Sequence, residues 1–233
     1  MTEVVENLAA RARAATKGGA GFVFEVLRNE IISLTLAPGT MLSRQDLQDR
    51  FGFSSTPIRD ALMKLQGERL VDVFPQHATV VSAINVGLAR QGQFLRCSIE
   101  LELVRALALV PRDAPLEKMR SLIRQQKAFA ELGEHEAFSA ADQSFHRAMY
   151  DALRMTELWD LARRQSAHID RLRRLHLPKA GKMHEIVASH TAITDAIESG
   201  NPVTAQDALR DHLTRSLDYV DKLKKLHPNY FSS

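Results

Sequence analysis

The chain has 233 residues, a formal net charge of +3, an ordinary 45% of hydrophobic residues and a single cysteine, Cys97. That length buries a real core in one large or two small domains. One cysteine excludes an internal disulfide and reads as a small buried hydrophobe. The mild positive charge permits an anionic partner without demanding one. No stretch approaches the ~18 apolar residues needed to span a bilayer, and the first residues lack the apolar centre of a secretory signal, so a cytoplasmic protein without membrane contact is expected.

Residues 1–20 are polar, end in "KGGAG" and read as a flexible arm. In "FVFEVLRNEIISLTL" the apolar residues Val23, Val26, Leu27, Ile31 and Leu34 recur at helical spacing. Pro38 and Gly39 break that helix. Ser43 with Asp46 three residues on is close to a capping-box pattern, and Leu42, Leu47 and Phe51 supply the face of a second short helix that Gly52 ends. A third helix follows, with Pro57 in its first turn and Ser54, Ser55 or Thr56 as its cap. Ile58, Ala61, Leu62, Leu65 and Leu70 form its stripe. "VDVF" and "TVV" around "PQHA" predict two short strands and a tip. Three short helices and a hairpin make a winged helix-turn-helix pattern over residues 21–83.

Beyond Ala83 only helical patterns appear. Asn85 caps a helix running to about Leu109, and further helices are expected over 115–132, 135–152, 157–176, 182–199 and 202–226. The expected fold is therefore mainly α: an N-terminal winged helix-turn-helix with a small β-hairpin wing, then an all-α bundle over 84–228.

In a helix-turn-helix the start of the second helix of the motif approaches base edges in the major groove. Its free N–H groups favour phosphate, and Arg59 lies one turn in, with Lys64 behind it and Arg44 and Arg50 nearby. Ser-Thr-Pro is also simply good capping chemistry, and basic and acidic residues balance across 1–83, so charge does not by itself identify a DNA binder. The run "LRNEIISLTLAPGTMLSRQDLQDRFGFSSTPIRDALMKLQGERLV" resembles the DNA-binding domain of the GntR family of bacterial transcription regulators in its "PG" turn, "L-S", "FG" and "TP-I-R-D-AL". The resemblance implies DNA contacts from Arg44, Ser54, Ser55, Thr56, Arg59 and His77. Two positions depart from the family: Ser55 stands where Arg is common, and Ala78 where the wing tip usually carries Gly.

Asp142 and His146 stand four apart in "ADQSFHRAMY" and share one helix face. His190 and His212 lie midway along later helices, and His212 falls in an apolar stripe with Ala208, Leu209 and Leu213. A carboxylate and three imidazoles suit a divalent transition metal. The chain has nine histidines, however, and a spacing of four also arises by chance. "D-x-x-F-H", "H-x-x-I-x-x-A-I-x-x-G" and "A-x-x-x-x-x-H-L" are similar to the metal-binding frame of the helical FCD domain found in the FadR subfamily of GntR regulators. That resemblance implies Asp142, His146, His190 and His212 as ligands, with zinc first and nickel, manganese or iron as the other ions. Ser189 departs from it, since Glu often precedes this histidine. Arg96 in "FLRCSIELELVRAL" is expected either to face the cavity and meet an effector carboxylate or to make a surface ion pair with Glu100.

The resemblance implies a non-enzymatic regulator that binds a pseudo-palindromic double-stranded operator as a homodimer and answers to a small carboxylate-bearing metabolite. A metal-dependent hydrolase or lyase using the Asp/His cluster, and a DNA-binding protein whose metal is purely structural, remain the alternatives.

Overall fold

Short-range signals set the first elements. Ser43 accepts the Asp46 N–H at 3.3 Å and opens one helix, which Gly52 closes in the left-handed conformation at φ 68°. In the computed structural model, which describes residues 18–74, 78–215 and 217–232, that helix is the second among the described residues. The order is α1 (Gly19–Ile32), β1 (Met41–Leu42), α2 (Arg44–Phe51), α3 (Ser55–Gly67), β2 (Val71–Phe74) and β3 (Ala78–Val81). Val23, Leu27 and Ile31 of α1 bury against Ile58, Ala61, Leu62 and Leu65 of α3. The strands form an antiparallel sheet in the order β1-β3-β2, with Met41 opposite Val80 and Val71 opposite Val81.

The sheet corrects one expectation. Leu42 belongs to a strand, not to the face of the second helix. Two residues carry no readable period. Their strand is set by the turn at Gly39 (φ 86°), whose N–H donates to Val81 O at 2.9 Å, and by the Val81 N–H donating back to Thr40 O at 2.8 Å. Ala78, at the expected wing tip, pairs with Phe74 inside extended β3, where any residue fits. The expected arm up to residue 17 and the wing-tip His77 lie outside the described residues.

The chain divides into two compact units, one running to Ile84 and resuming at Asn229, the other Asn85–Pro228. The Ile84 N–H donates to Tyr230 O at 2.7 Å, and the Ser232 N–H donates to Ile84 O at 3.2 Å. The last described residues thus pair with the point where the chain leaves the first unit.

The second unit is helical: α4 (Val86–Leu109), α5 (Leu116–Leu132), α6 (His135–Ala152), α7 (Thr156–Gln165), α8 (Ala167–His176), α9 (Lys182–Glu198), α10 (Pro202–Thr214) and α11 (Val220–Leu226). Asn85 caps α4 by accepting the Leu88 N–H. α4 lies against α6, α7, α8, α9 and α10. Leu103, Leu107, Phe145, Met149, Ile193 and Leu209 are among the buried core of the unit, with Cys97 packed at its edge. Two of the expected helices are each broken in two. The Ser166 hydroxyl donates to Arg163 O at 3.0 Å and ends α7, and the Thr214 hydroxyl donates to Arg210 O at 2.9 Å where α10 ends. At the first break the Ser166 side chain competes for the Arg163 carbonyl that would carry the helix on, whereas the Thr214 bond has the same form as those of Ser139 and Thr194 inside continuous helices.

Gly92 of α4 meets that first break. A Cβ there would lie 2.3 Å from the Gln165 carbonyl oxygen. Alanine is worth up to ~1 kcal/mol more than glycine in a helix interior, but overpacking costs ~1–3 kcal/mol, and a backbone carbonyl has no rotamer in which to retreat. Gly92→Ala should therefore lower stability by about 1–2 kcal/mol in urea titration, against the sign of helix propensity.

Candidate DNA-contacting helix and buried Asp/His centre

α3 begins on exposed residues. Ser54 occupies the cap position without a side-chain capping bond, and Ser54, Ser55 and Thr56 are all exposed. Ser54 thus leaves the Ser55 and Thr56 N–H groups of the first turn without a cap from its side chain, and Pro57 has no N–H to cap. Arg59 is well exposed, 3.5 Å from Asp60. Arg44, at the start of α2, and Lys64 are also exposed. Arg50 is not a free cation. Its guanidinium is held by Glu30, with one contact of 2.9 Å.

The second centre joins three helices. α6 presents Asp142 and His146 on one face, α9 presents His190 and α10 presents His212, and all four are buried. His212 Nε2 is 3.3 Å from both His190 Nε2 and His146 Nε2, and His190 Nε2 is 3.6 Å from Asp142 Oδ1. The candidate ligand atoms lie within 4.8 Å of one another. Two of the other ring nitrogens are engaged outside the centre: His190 Nδ1 is 2.8 Å from Gln126 Oε1, and His146 Nδ1 is 2.8 Å from Glu100 Oε2. The His190 ring stacks on Phe145 at 3.9 Å.

The donor set fits a cation. Asp142 Oδ1 is buried without a hydrogen-bond partner while its Oδ2 accepts from Arg173 at 3.0 Å. An unpaired buried carboxylate oxygen beside three converging imidazole edges is a costly arrangement unless positive charge meets it. Protons are a poor answer. Burial pushes His146 and His212 well below the ordinary histidine value and brings His190 down to about 4. Burial alone would raise the Asp142 carboxyl, but Arg173 and the neighbouring histidines draw it down to about 2. Neutral imidazoles and an ionised carboxylate are the forms in which these groups ligate metals.

A pocket opens beside Asp142, lined by Arg96, Glu100, Arg163, Asp170 and Arg173, with Trp159 among its apolar walls. The Arg96 Nε donates to Glu100 Oε1 at 2.6 Å with the Glu100 side chain wholly buried. The two readings of Arg96 merge: it pairs with Glu100 and faces the cavity. The exposed surface pair is corrected, because α6 and α7 cover Glu100 and line the pocket. Arg163 donates to Asp170 Oδ2 at 2.6 Å. Glu100, Gln126, Arg163, Asp170 and Arg173 had no site role in the sequence reading. Only Glu100 carried a local signal, its place four residues after Arg96. Ser189 turns back to Glu185 O, and Gln126 supports His190 instead.

With this geometry in place, the comparisons with known proteins are specific. Residues 20–81 match bacterial regulatory proteins of the gntR family, and residues 93–215 match the FCD domain. A helix-turn-helix-type regulator from an unstable DNA locus of Streptomyces ambofaciens is 32% identical over 91% of this chain and 89% of its own length. The helix-turn-helix-type transcriptional repressor RspR of Escherichia coli K12 is 25% identical over 90% of this chain and 92% of its own. The solved structure of E. coli McbR/YncC has a similar fold, with TM-score 0.72 and 19% identity over 88% of this chain and 96% of its own.

The histidine centre makes stability depend on pH. Below the ordinary histidine value of 6.5 the unfolded chain takes up protons that the buried rings refuse, so stability falls as pH drops from about 6.5 toward about 4 and is level above. His190 alone is worth ~3 kcal/mol over that window. In chelator-treated protein the urea midpoint should fall steadily between pH 6.5 and 4.5, and less steeply in His190→Asn. A midpoint that stays level would show that the rings titrate normally.

Proposed function

We propose a ligand-gated operator-binding cycle for this chain, which belongs to the gntR family of bacterial regulatory proteins and is a transcriptional regulator with a helix-turn-helix DNA-binding domain and an FCD domain. The families and relatives it matches are regulators, so the hydrolase or lyase reading of the centre falls away. No helix among the described residues is long and apolar enough to cross a membrane. The FCD architecture fits the FadR subfamily.

In this cycle a homodimer places two copies of α3 in successive major grooves of a pseudo-palindromic operator. Arg59 reads a base edge. Ser54, Ser55, Thr56 and Arg44 meet phosphate, and His77, outside the described residues, is a further contact that the family resemblance implies. The relative RspR is a repressor, and repression is the sign we assign here. The observation that carries the effector reading is the convergence of buried Asp142, His146, His190 and His212 beside an arginine-walled pocket. These four residues would hold a divalent ion, zinc first among candidates, which supplies positive charge for an effector carboxylate. Arg96 offers that carboxylate a second anchor. α4, which carries Arg96, begins directly after the chain crossing at Ile84–Asn85, and α10, which carries His212, is followed by α11 and the crossing at Pro228–Asn229. A carboxylate that prefers one dimer arrangement would therefore shift operator affinity.

Arg59→Ala should weaken binding to a fragment of the protein's own promoter by ~1–3 kcal/mol, the worth of a good bidentate base contact, with little change in urea midpoint. Unchanged gel-shift affinity and sequence preference would remove Arg59 from the interface. A thermal-shift panel of sugar acids, hydroxy acids and dicarboxylates, run with zinc, identifies the binding class. The acid it selects should alter operator affinity with zinc present and lose that influence after chelation, while basal DNA binding persists. An acid that still modulates DNA binding in metal-free, folded protein would make the cluster structural.

A further inference from the structure

Glu100 lies in the middle of α4 with none of its side chain exposed. A carboxylate so placed is costly unless both oxygens are engaged, and both are. Oε1 accepts from Arg96 Nε at 2.6 Å and lies 3.4 Å from the Tyr150 hydroxyl, while Oε2 is 2.8 Å from His146 Nδ1. Arg96 lines the pocket and His146 belongs to the Asp/His centre. Glu100 therefore bridges Arg96 of the pocket wall and His146 of the centre, beside the direct contact of Arg173 with Asp142.

We propose that Glu100 is a positioning residue that holds His146 in the tautomer with its Nε2 lone pair turned into the centre, and that ties this ring to Arg96. The role toward a cation rests on the reading of the centre given above. A carboxylate paired with a guanidinium has no proton to give, so His146 Nδ1 must be the donor across the 2.8 Å contact. A neutral imidazole carries one N–H, which leaves Nε2 with its lone pair facing His212 Nε2 at 3.3 Å. The other tautomer would set two acceptors face to face at Glu100 and push a hydrogen into the centre. The tie to Arg96 has a definite sign. An anion that draws the guanidinium from Oε1 leaves more of the Glu100 charge to His146, making the ring a stronger electron-pair donor. Pocket occupancy and cation affinity would then rise together. A Glu100 that merely neutralised Arg96 would affect stability but neither the tautomer nor the affinity.

Side-chain 1H–15N spectra of the metal-free full chain report the tautomer directly, and the parent should show His146 as Nδ1–H. In Glu100→Gln one amide oxygen serves two donors. With that oxygen taken by Arg96, the NH2 faces His146 Nδ1, so the ring should shift toward Nε2–H. Cobalt(II) affinity, measured by competition with a chelating dye, should fall about 10–100-fold. Arg96→Gln leaves the whole Glu100 charge to His146, so cobalt affinity should rise. A parent ring found as Nε2–H overturns the proposal, whatever the variants do. So does Glu100→Gln with a parent-like tautomer and affinity, or Arg96→Gln with a loss as large as that of Glu100→Gln. If Glu100→Gln shifts the tautomer in a protein whose parent binds no cobalt, the positioning role stands and the cation reading of the centre fails.

Discussion

Charge buried in the helical unit must be paired, and that requirement organises the packing around its pocket. Glu100, Asp142 and Asp170 are all buried; Asp142 and Asp170 are answered by arginines of other helices, and Glu100 by Arg96 one turn earlier on its own. Arg96 and Glu100 come from α4, Asp142 from α6, Arg163 from α7, and Asp170 and Arg173 from α8. A buried ion pair is weak evidence for stability, because desolvation offsets much of its attraction. Its stronger effect is to penalise any packing that separates the partners, since one left alone costs several kcal/mol. The pairs Arg173–Asp142 and Arg163–Asp170 thereby hold α6, α7 and α8 in one arrangement, and the contact of Glu100 with His146 joins α4 to them around a polar pocket that an apolar core would have closed.

Within that balance Asp142 Oδ1 and the facing imidazole edges are the exception. Arg173 satisfies one carboxylate oxygen and leaves the other bare. Burial keeps the three histidines neutral, so they cannot supply the missing positive charge themselves. Polar groups left unanswered inside an otherwise paired bundle mark a place where something else binds. The pocket beside it, walled by arginines already matched to acids, would gain little from a further anion unless the centre itself adds positive charge. The two features make chemical sense as one site.

The DNA-binding unit follows another logic. Its core is apolar and its polar chemistry is spent at element ends: Ser43 caps α2, Gly52 closes it, and Gly39 shapes the turn into the sheet. Arg50 and Arg28 are held by Glu30 and Glu68. Arg59, Arg44 and the uncapped start of α3 remain presented on the surface. This accounts for a domain whose basic and acidic residues balance and yet offers a cationic edge.

The sequence by itself determined whatever depends on neighbours within a few residues. The caps at Ser43 and Asn85 and most helix bounds are local, and so is the shared face of Asp142 and His146, four residues apart on one helix. The gathering of His190 and His212 beside them came from resemblance, since no local rule links ligands on separate helices. Tertiary structure alone decided the strand at Met41–Leu42 and the partners Gln126, Arg163, Asp170 and Arg173. Met41–Leu42 is a strand because β3 lies alongside, and Gly92 leaves room for the Gln165 carbonyl because the two backbones cross there. Arg173 meets Asp142 across 31 residues and His190 meets Gln126 across 64. Such pairings leave no periodicity in the chain, because folding brings together side chains whose spacing in sequence carries no information about their distance.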